Sequence, residues 1–342
     1  MKRLPAEWER QSGIQLTWPH GHGDWAPWLD QVEPVFVDIA RHVCERERLI
    51  LVCYDQDHEA HIRQRLSQAG LGLDAASFYQ VPSNDTWARD HGPISILEDG
   101  IPRLLDFRFN GWGGKFEAEL DNGITRHLHE AGAFKDTQLQ HIDMVLEGGG
   151  IESDGAGSLL TTSACQLSSG RNPDLDQVDI EQALRQALGV ERILWLGHGH
   201  LEGDDTDSHI DTLARFADPG TIIYVACDVP TDPHYSSLKA MEAELGALRQ
   251  ANGEPYRLVA LPWPAAIHDD EGQRLPASYA NFLILNEAVL VPTYRDAADA
   301  EALEVIGKCF TDREVIGIDC LPLIWQYGSL HCVTMQYIDG IL

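Results

Sequence analysis

The chain has 342 residues, with 25 Lys+Arg against 54 Asp+Glu and a formal charge of −29. That balance argues against nucleic acid and anionic membrane as partners and suits a small cationic one. No apolar run approaches the ~18 residues of a membrane span, and the N-terminus lacks the apolar core of a secretory leader. The seven cysteines are scattered without Cys-x-x-Cys pairs, which predicts a reducing cytoplasm rather than a disulfide frame or a structural zinc site.

Residues 12–19 open with a short apolar strand ending Leu16-Thr17-Trp18-Pro19. Residues 28–48 carry Leu29, Val32, Val35, Phe36, Ile39 and Val43 at helical spacing. A strand at Leu49–Tyr54, a helix over 56–69 and a strand at Phe78–Pro82 follow. Next come Ile94–Leu97, a hairpin turn at Asp99-Gly100, and Leu104–Phe109. A helix near 117–131 precedes a strand at 141–147. Glu147-Gly148-Gly149-Gly150-Ile151-Glu152 then reads as a tight turn into another strand. It lacks the Gly-Lys-Ser/Thr of a phosphate loop, so its glycines predict close backbone approach.

Helices near 179–188 and 236–250, with strands near 192–196, 221–226 and 256–261, complete the middle. Ser278–Asn286 reads as extended, and Ala288–Pro292 as a strand. A helix near 297–309, a strand at Val315–Ile318 and a closing segment through Gly328–Gln336 end the reading. Length alone allows two domains, but no linker or composition break appears, which predicts one catalytic domain over 1–342. Chemically loaded points recur at Trp18, Trp87, Glu147, His209, Asn281 and Cys332. Their separations of 69, 60, 62, 72 and 51 residues hint at about five units.

The densest chemistry lies in Asp204-Asp205-Thr206-Asp207-Ser208-His209-Ile210-Asp211. From His209 onward the pattern alternates, which predicts a strand with His209, Asp211, Leu213 and Arg215 on one side. An imidazole beside a carboxylate, after an acidic loop, suits acid/base work on a cation. A calcium loop starting at Asp205 would need Gly and Glu where Ile210 and Phe216 stand. The pair His198 and His200 has Glu202-Gly203 nearby instead of an Asp-His pair, which leaves zinc weak. A solvated acidic turn before an ordinary strand is the remaining reading.

Two further anchors stand out. Cys332, between His331 and Val333 at the start of a predicted strand, offers a thiolate nucleophile, although most buried cysteines are inert packing. Trp87-x-Arg89-Asp90-x-Gly92-Pro93 places a carboxylate before a forced bend.

Together these motifs resemble the agmatine deiminase and bacterial-type peptidylarginine deiminase family, within the guanidino-group-modifying superfamily. The likeness runs in order from Pro5-Ala6-Glu7-Trp8 and Thr17-Trp18-Pro19 through Trp87–Pro93, Asn110–Lys115 and Glu147–Ile151. It continues through Asp204–Asp211, Arg215-Phe216 and Ser278–Asn286 to His331-Cys332. The resemblance implies an α/β fold, a five-bladed pseudo-symmetric propeller of pentein type with its site on the central axis. It implies Cys332 as nucleophile, His209 as general acid/base, Asp90 and Asp211 as guanidinium-binding carboxylates, and Trp87 packed on the substrate.

The implied reaction is hydrolysis of agmatine to N-carbamoylputrescine and ammonia through a covalent thiouronium on Cys332, with no metal or organic cofactor. The implied partner is a small cationic guanidino substrate, and a homodimer is suggested although no residue fixes it. Two departures bear on the pocket's end group. Asp205 stands where agmatine-specific relatives often carry Glu, and Gln326-Tyr327-Gly328-Ser329-Leu330 replaces a Gly-rich run. Asp205, with Asp204 and Asp207 as substitutes, is the candidate acidic wall for the far amine. Deimination of peptidyl or free arginine is the alternative chemistry, and a non-catalytic binding module on the same scaffold is the alternative of another class.

Overall fold

The computed structural model describes residues 1–342. Five separate sheets carry the chain, and each repeats one pattern. A first strand runs antiparallel to a second, a helix follows, and a third strand returns parallel to the second. Parallel neighbours need a long crossover, and the helix supplies it.

The first unit is assembled from both ends of the sequence. Thr334–Ile338 pairs antiparallel with Gln11–Thr17, and Arg48–Cys53 lies parallel after the helix Leu29–Cys44. The second unit uses Ile94–Glu98, Ile101–Arg108, the helix Asp121–Glu130 and Gln138–Val145. The third uses Ile151–Ser153, Ser158–Thr162, Gln177–Leu188 and Arg192–Leu196. The fourth uses Ala214–Asp218, Thr221–Val225, Tyr235–Ala247 and Arg257–Leu261. The fifth uses Leu283–Ile284, Ala288–Thr293, Asp299–Cys309 and Glu314–Asp319. Ala76–Gln80 adds a fourth strand to the first sheet and Lys2–Arg3 one to the second. No helix is long and apolar enough to cross a membrane.

Local chemistry explains many boundaries. Asp55 opens the helix Gln56–Gln68 by accepting the His58 N–H. Asp176 and Asp179 form a capping box before Gln177–Leu188, which Gly189 closes at φ 73°. Asp99 and Gly100, at φ 51° and 78°, make the mirror-image turn that a two-residue hairpin prefers. The second strands Ser158–Thr162 and Thr221–Val225 are buried throughout, so they read as unbroken β-branched and apolar runs. The third strand Arg257–Leu261 is largely half-exposed.

Three expectations change. The strand expected over 209–216 begins only at Ala214. His209 precedes a single 3₁₀ turn, Ile210–Thr212, so His209 and Asp211 are turn residues and not neighbours on a pleat. Ser278–Asn286, expected to be extended, instead opens in a turn at Tyr279–Ala280, where the Asn281 N–H donates to the Ser278 carbonyl, and only Leu283–Ile284 pairs as a strand. Side chains occupy the other backbone groups: Tyr294 accepts the Ser278 N–H, and Arg215 donates to the carbonyls of Ala280 and Phe282. Trp18 is core, fully buried against Phe36 and donating to Glu33 Oε1 at 3.1 Å.

The remaining loaded points share one structural position. Trp87 stands seven residues before the first strand of its unit, with Asp90 four before it; Glu147 stands four, His209 five with Asp211 three, Asn281 two and Cys332 two. Cys332 thus lies in the turn ahead of its strand, not at its start. Five equivalent turns deliver the polar side chains to one place.

Candidate active site

Asp90 lies in the one-turn helix Ala88–His91, which Gly92 ends. Its Oδ2 accepts the Trp112 indole N–H at 2.9 Å, and its Oδ1 accepts the Gly149 N–H at 3.1 Å. His209 Nδ1 is 3.6 Å from the same Oδ1. Burial pushes the Asp90 carboxyl up, with Asp211 and Glu147 adding to the push and His209 opposing it. Burial alone would lower His209, but the Asp90 charge overrides it and holds the imidazole well above its ordinary value. On its other edge, His209 Nε2 is 3.8 Å from Glu147 Oε2.

The three glycines make this convergence possible. A Cβ on Gly149 would sit 2.6 Å from His209 Nδ1, 2.9 Å from Asp90 Oδ1 and 3.2 Å from Asp211 Oδ2. A Cβ on Gly148 would strike the Arg89 carbonyl at 2.3 Å. The close approach expected from the sequence is therefore present.

Asp211 is fully buried. Its Oδ2 accepts from His331 Nδ1 at 2.8 Å and lies 3.8 Å from Cys332 Sγ. Its Oδ1 has no hydrogen-bond partner. Behind it runs a chain of charges. His331 Nε2 meets Glu7 Oε2 at 2.8 Å, Arg215 joins Glu7 at 2.6 Å, and the same guanidinium holds Glu152 at 2.7 Å. Burial opposes ionisation of Asp211, yet the His331 hydrogen bond holds it below the usual carboxylate range. Burial likewise opposes Glu7, and Arg215 and His331 hold it low.

Cys332 is nearly buried, at 6 % exposure. The Asn281 side-chain oxygen anchors it, accepting from the His331 N–H at 2.9 Å, from the Cys332 N–H at 3.4 Å and from Sγ at 3.4 Å. Burial, then the charges of Asp211 and Asp90, push the thiol well above its ordinary value.

The open part of the site is lined by Trp87, Asp90, Trp112, Asp204, Asp205, Thr206, His209, Thr212, Gln326, Tyr327, Gly328 and Cys332. Asp211 lies beneath this lining. Trp87 packs on Trp25 at 5.8 Å, and a Cβ on Gly328 would meet its ring at 2.2 Å. The segment before the cysteine thus carries a glycine where the indole leaves no room for a side chain.

The acidic loop is not a solvated turn. Asp204 accepts from Thr206 N–H and Oγ1 and from Ser208 N–H, clasping left-handed backbone at Asp207 and Ser208. Asp207 pairs with Lys115 at 2.8 Å and Arg171 at 2.7 Å. Arg171 also grips Glu147 at 2.8 Å, tying this loop to the glycine turn. Asp204 and Asp205 both line the pocket, and of these two the Asp205 carboxylate takes no part in the clasp or the ion pairs. Burial and then Asp204 push it up to about 7, against the pull of Lys115.

The sequence reading left Glu147, Trp112, Arg171, Asn281, His331 and Glu7 without roles. Glu147 and Asn281 carried a signal, since both fall on the roughly 60-residue spacing. His331 adjoins Cys332, and only the fold shows its second neighbour, Asp211. Glu147, Cys165 and His209 each present one donor atom within 4.8 Å of the others, the set best placed to hold a metal ion.

Known proteins resemble this chain over nearly its whole length. The chain is similar to a Porphyromonas gingivalis protein provisionally named an arginine deiminase, with 52% identity, TM-score 0.94 and all of both chains covered. It is similar to a cysteine-to-serine form of the C. jejuni agmatine deiminase with substrate bound. There the identity is 35% and the TM-score 0.92, covering 100% of this chain and 98% of that one. It is also 32% identical to the agmatine deiminase of Pseudomonas aeruginosa (strain LESB58), over 98% of this chain and 95% of the relative. The profile of the Porphyromonas-type peptidyl-arginine deiminases matches residues 3–337, a span that includes all five of the turns that build this site. With relatives matching over nearly their full length as well, the chain belongs to that family.

Proposed function

We propose that this chain hydrolyses the guanidinium of agmatine, giving N-carbamoylputrescine and ammonia. The observation that carries the reading is the meeting of Asp90, His209, Asp211 and Cys332 around Gly149 and Asn281, from turns up to 242 residues apart. The agmatine deiminases among the relatives support the substrate.

A guanidinium is planar and permanently charged, and its N–H fork suits two carboxylates. Asp211 Oδ1, ionised and unpartnered, and Asp90 would take opposite edges, with Trp87 against the plane. The bound cation would offset the two charges that raise the Cys332 thiol and favour the thiolate. Sulfur then adds to the guanidinium carbon. The C–N bond breaks as His209 passes its proton to the departing nitrogen, so ammonia leaves and an S-alkylthiouronium remains on Cys332. Water attacks that carbon, His209 takes its proton, and the C–S bond breaks to free thiolate and ureido product.

Asp205 would read the far amine. A carboxylate there favours agmatine over free arginine, whose own carboxylate it repels. A second reading is deimination of arginine within peptides. It draws support from the peptidyl-arginine deiminase profile that the chain matches and from a cleft of about 510 Å³ that borders the site through Trp112 and carries His22, Tyr54 and Phe116. A citrulline-type colorimetric assay on agmatine, free arginine and an arginine peptide in parallel decides. Agmatine as the preferred substrate is expected, and preference for the peptide would displace the first reading while leaving the chemistry in place.

The same reading takes the five units as a pseudo-symmetric propeller around a central axis, forming a single catalytic domain over 1–342. The seven free cysteines suit a reducing cytoplasm. A homodimer of chains acting on a small cationic substrate completes it.

A further inference from the structure

Cys165 has no part in the chemistry above. It is fully buried in the one-turn helix Ser163–Gln166, which Thr162 caps. Its thiol shares a space with His209 Nε2 and a Glu147 carboxylate oxygen, each of the three donor atoms within 4.8 Å of the others. His209 Nε2 has no hydrogen-bond partner although the residue is 99% shielded from solvent. A buried ring nitrogen without a partner is uncommon and calls for an explanation. The facing residue, Gly150, puts no side chain between the thiol and the imidazole.

We propose that Glu147, Cys165 and His209 form a binding site for a thiophilic divalent cation of the Zn²⁺ type, and that occupancy switches the enzyme off. Thiolate, imidazole and carboxylate are the ligand types that Zn²⁺ takes, with bonds of about 2.0–2.3 Å. A tetrahedral ion would hold those atoms about 3.3–3.7 Å apart, so a closure of about 1 Å suffices. Three protein ligands leave the fourth position for water. Binding replaces two protons by the metal, that of the thiol and that on His209 Nε2, and both leave to solvent. The Glu147 oxygen is already oriented by Arg171, whose charge Asp207 offsets.

Inhibition follows from which nitrogen the ion takes. Nδ1 faces Asp90 and the reacting centre, whereas Nε2 faces the metal. A metal on Nε2 leaves the ring's proton on Nδ1. The ring can then no longer accept a proton from water at that atom. Binding by itself does not depend on the proposed reaction; only the loss of activity does.

Cobalt is the direct probe, because a Co²⁺–thiolate bond gives a charge-transfer band. Titrating the metal-free full-length protein should give such a band at one equivalent, displaced by Zn²⁺. The band should persist in Cys332→Ala and vanish in Cys165→Ser. Zn²⁺ should inhibit the wild type reversibly, with activity restored by a chelator. Cys165→Ser should keep basal activity while needing at least ~100-fold more Zn²⁺, since even outer-shell losses weaken a metal by about 10–100-fold. Cys165→Ala, with the same readouts, serves if the serine variant folds poorly. No band in the wild type, a band surviving in the Cys165 variants, or a band lost in Cys332→Ala would each overturn the site. Failure on agmatine would show in the activity assay alone and leave the cobalt result standing.

Discussion

Gly149→Ala isolates the geometry of the site from its chemistry, because it removes no functional group. The backbone at Gly149 is not left-handed, so alanine meets no conformational penalty there. The new methyl would lie 2.6 Å from His209 Nδ1 and 2.9 Å from Asp90 Oδ1. Restoring ordinary contact near 3.4 Å moves the imidazole back by about 0.8 Å. A displacement near 1 Å of a catalytic group costs about 100-fold in rate, or ~2.7 kcal/mol of transition-state stabilisation. Overpacking one methyl in a buried site costs roughly 1–3 kcal/mol of stability, so the variant should still fold. The assay is kcat/KM for agmatine alongside urea unfolding. Gly150→Ala is the comparison: its Cβ would meet Cys165 Sγ at 3.2 Å and only the carbon edge of His209, at 3.8 Å, so its activity loss should be smaller. A folded Gly149→Ala enzyme within ~3-fold of wild type would refute the placement of His209 and Asp90 as working partners.

Cys332→Ala should abolish turnover yet still bind agmatine by calorimetry, since Asp90 and Asp211 remain; ordinary activity would remove Cys332 as nucleophile. In a His209→Ala variant, mass spectrometry should find any trapped substrate adduct on Cys332, and an adduct on another cysteine would contradict the mechanism. Asp205 sits near 7 and must be ionised to hold the amine, so the wild-type KM for agmatine should rise as pH falls below about 7. Asp205→Asn should start with a high KM and lose that component of the pH profile. Its buried carboxyl is raised in the folded state, so its stabilising effect is complete only well below pH 4 and fades as pH rises toward 7. His331→Phe should cost roughly 3–5 kcal/mol at neutral pH by urea unfolding, because Asp211 is left a buried charge without its partner and Glu7 keeps Arg215 alone. Both carboxyls are held low in the folded state, so that contribution is present above about pH 4 and disappears as pH falls through their folded values. The gap between wild type and variant should therefore narrow in acid.

The sequence by itself determined most of the regular elements and the candidate reacting groups. Helical spacing such as Val32, Val35, Phe36, Ile39 and Val43 marks a buried stripe that local geometry makes legible. The order of Trp87–Pro93, Asp204–Asp211 and His331-Cys332 marked Asp90, His209, Asp211 and Cys332, and the roughly 60-residue spacing pointed to five units.

Only the tertiary structure decided how those groups are held. The alternation after His209 belongs to the strand Ala214–Asp218, and its extension back to His209 was accidental; a 3₁₀ turn gives no periodic signature over three residues. Of four clustered aspartates, position alone could not separate the clasp Asp204, the ion-paired Asp207, the pocket-facing Asp205 and the buried Asp211. Their roles depend on Lys115, Arg171 and His331, which approach from other units. The thiol of Cys165 beside His209, and Glu7 behind His331 across 324 positions of sequence, are likewise contacts between turns. A hydrogen bond or ion pair is set by distance in space, and five equivalent turns meeting at one place bring together residues that nothing in their own neighbourhoods marks as partners.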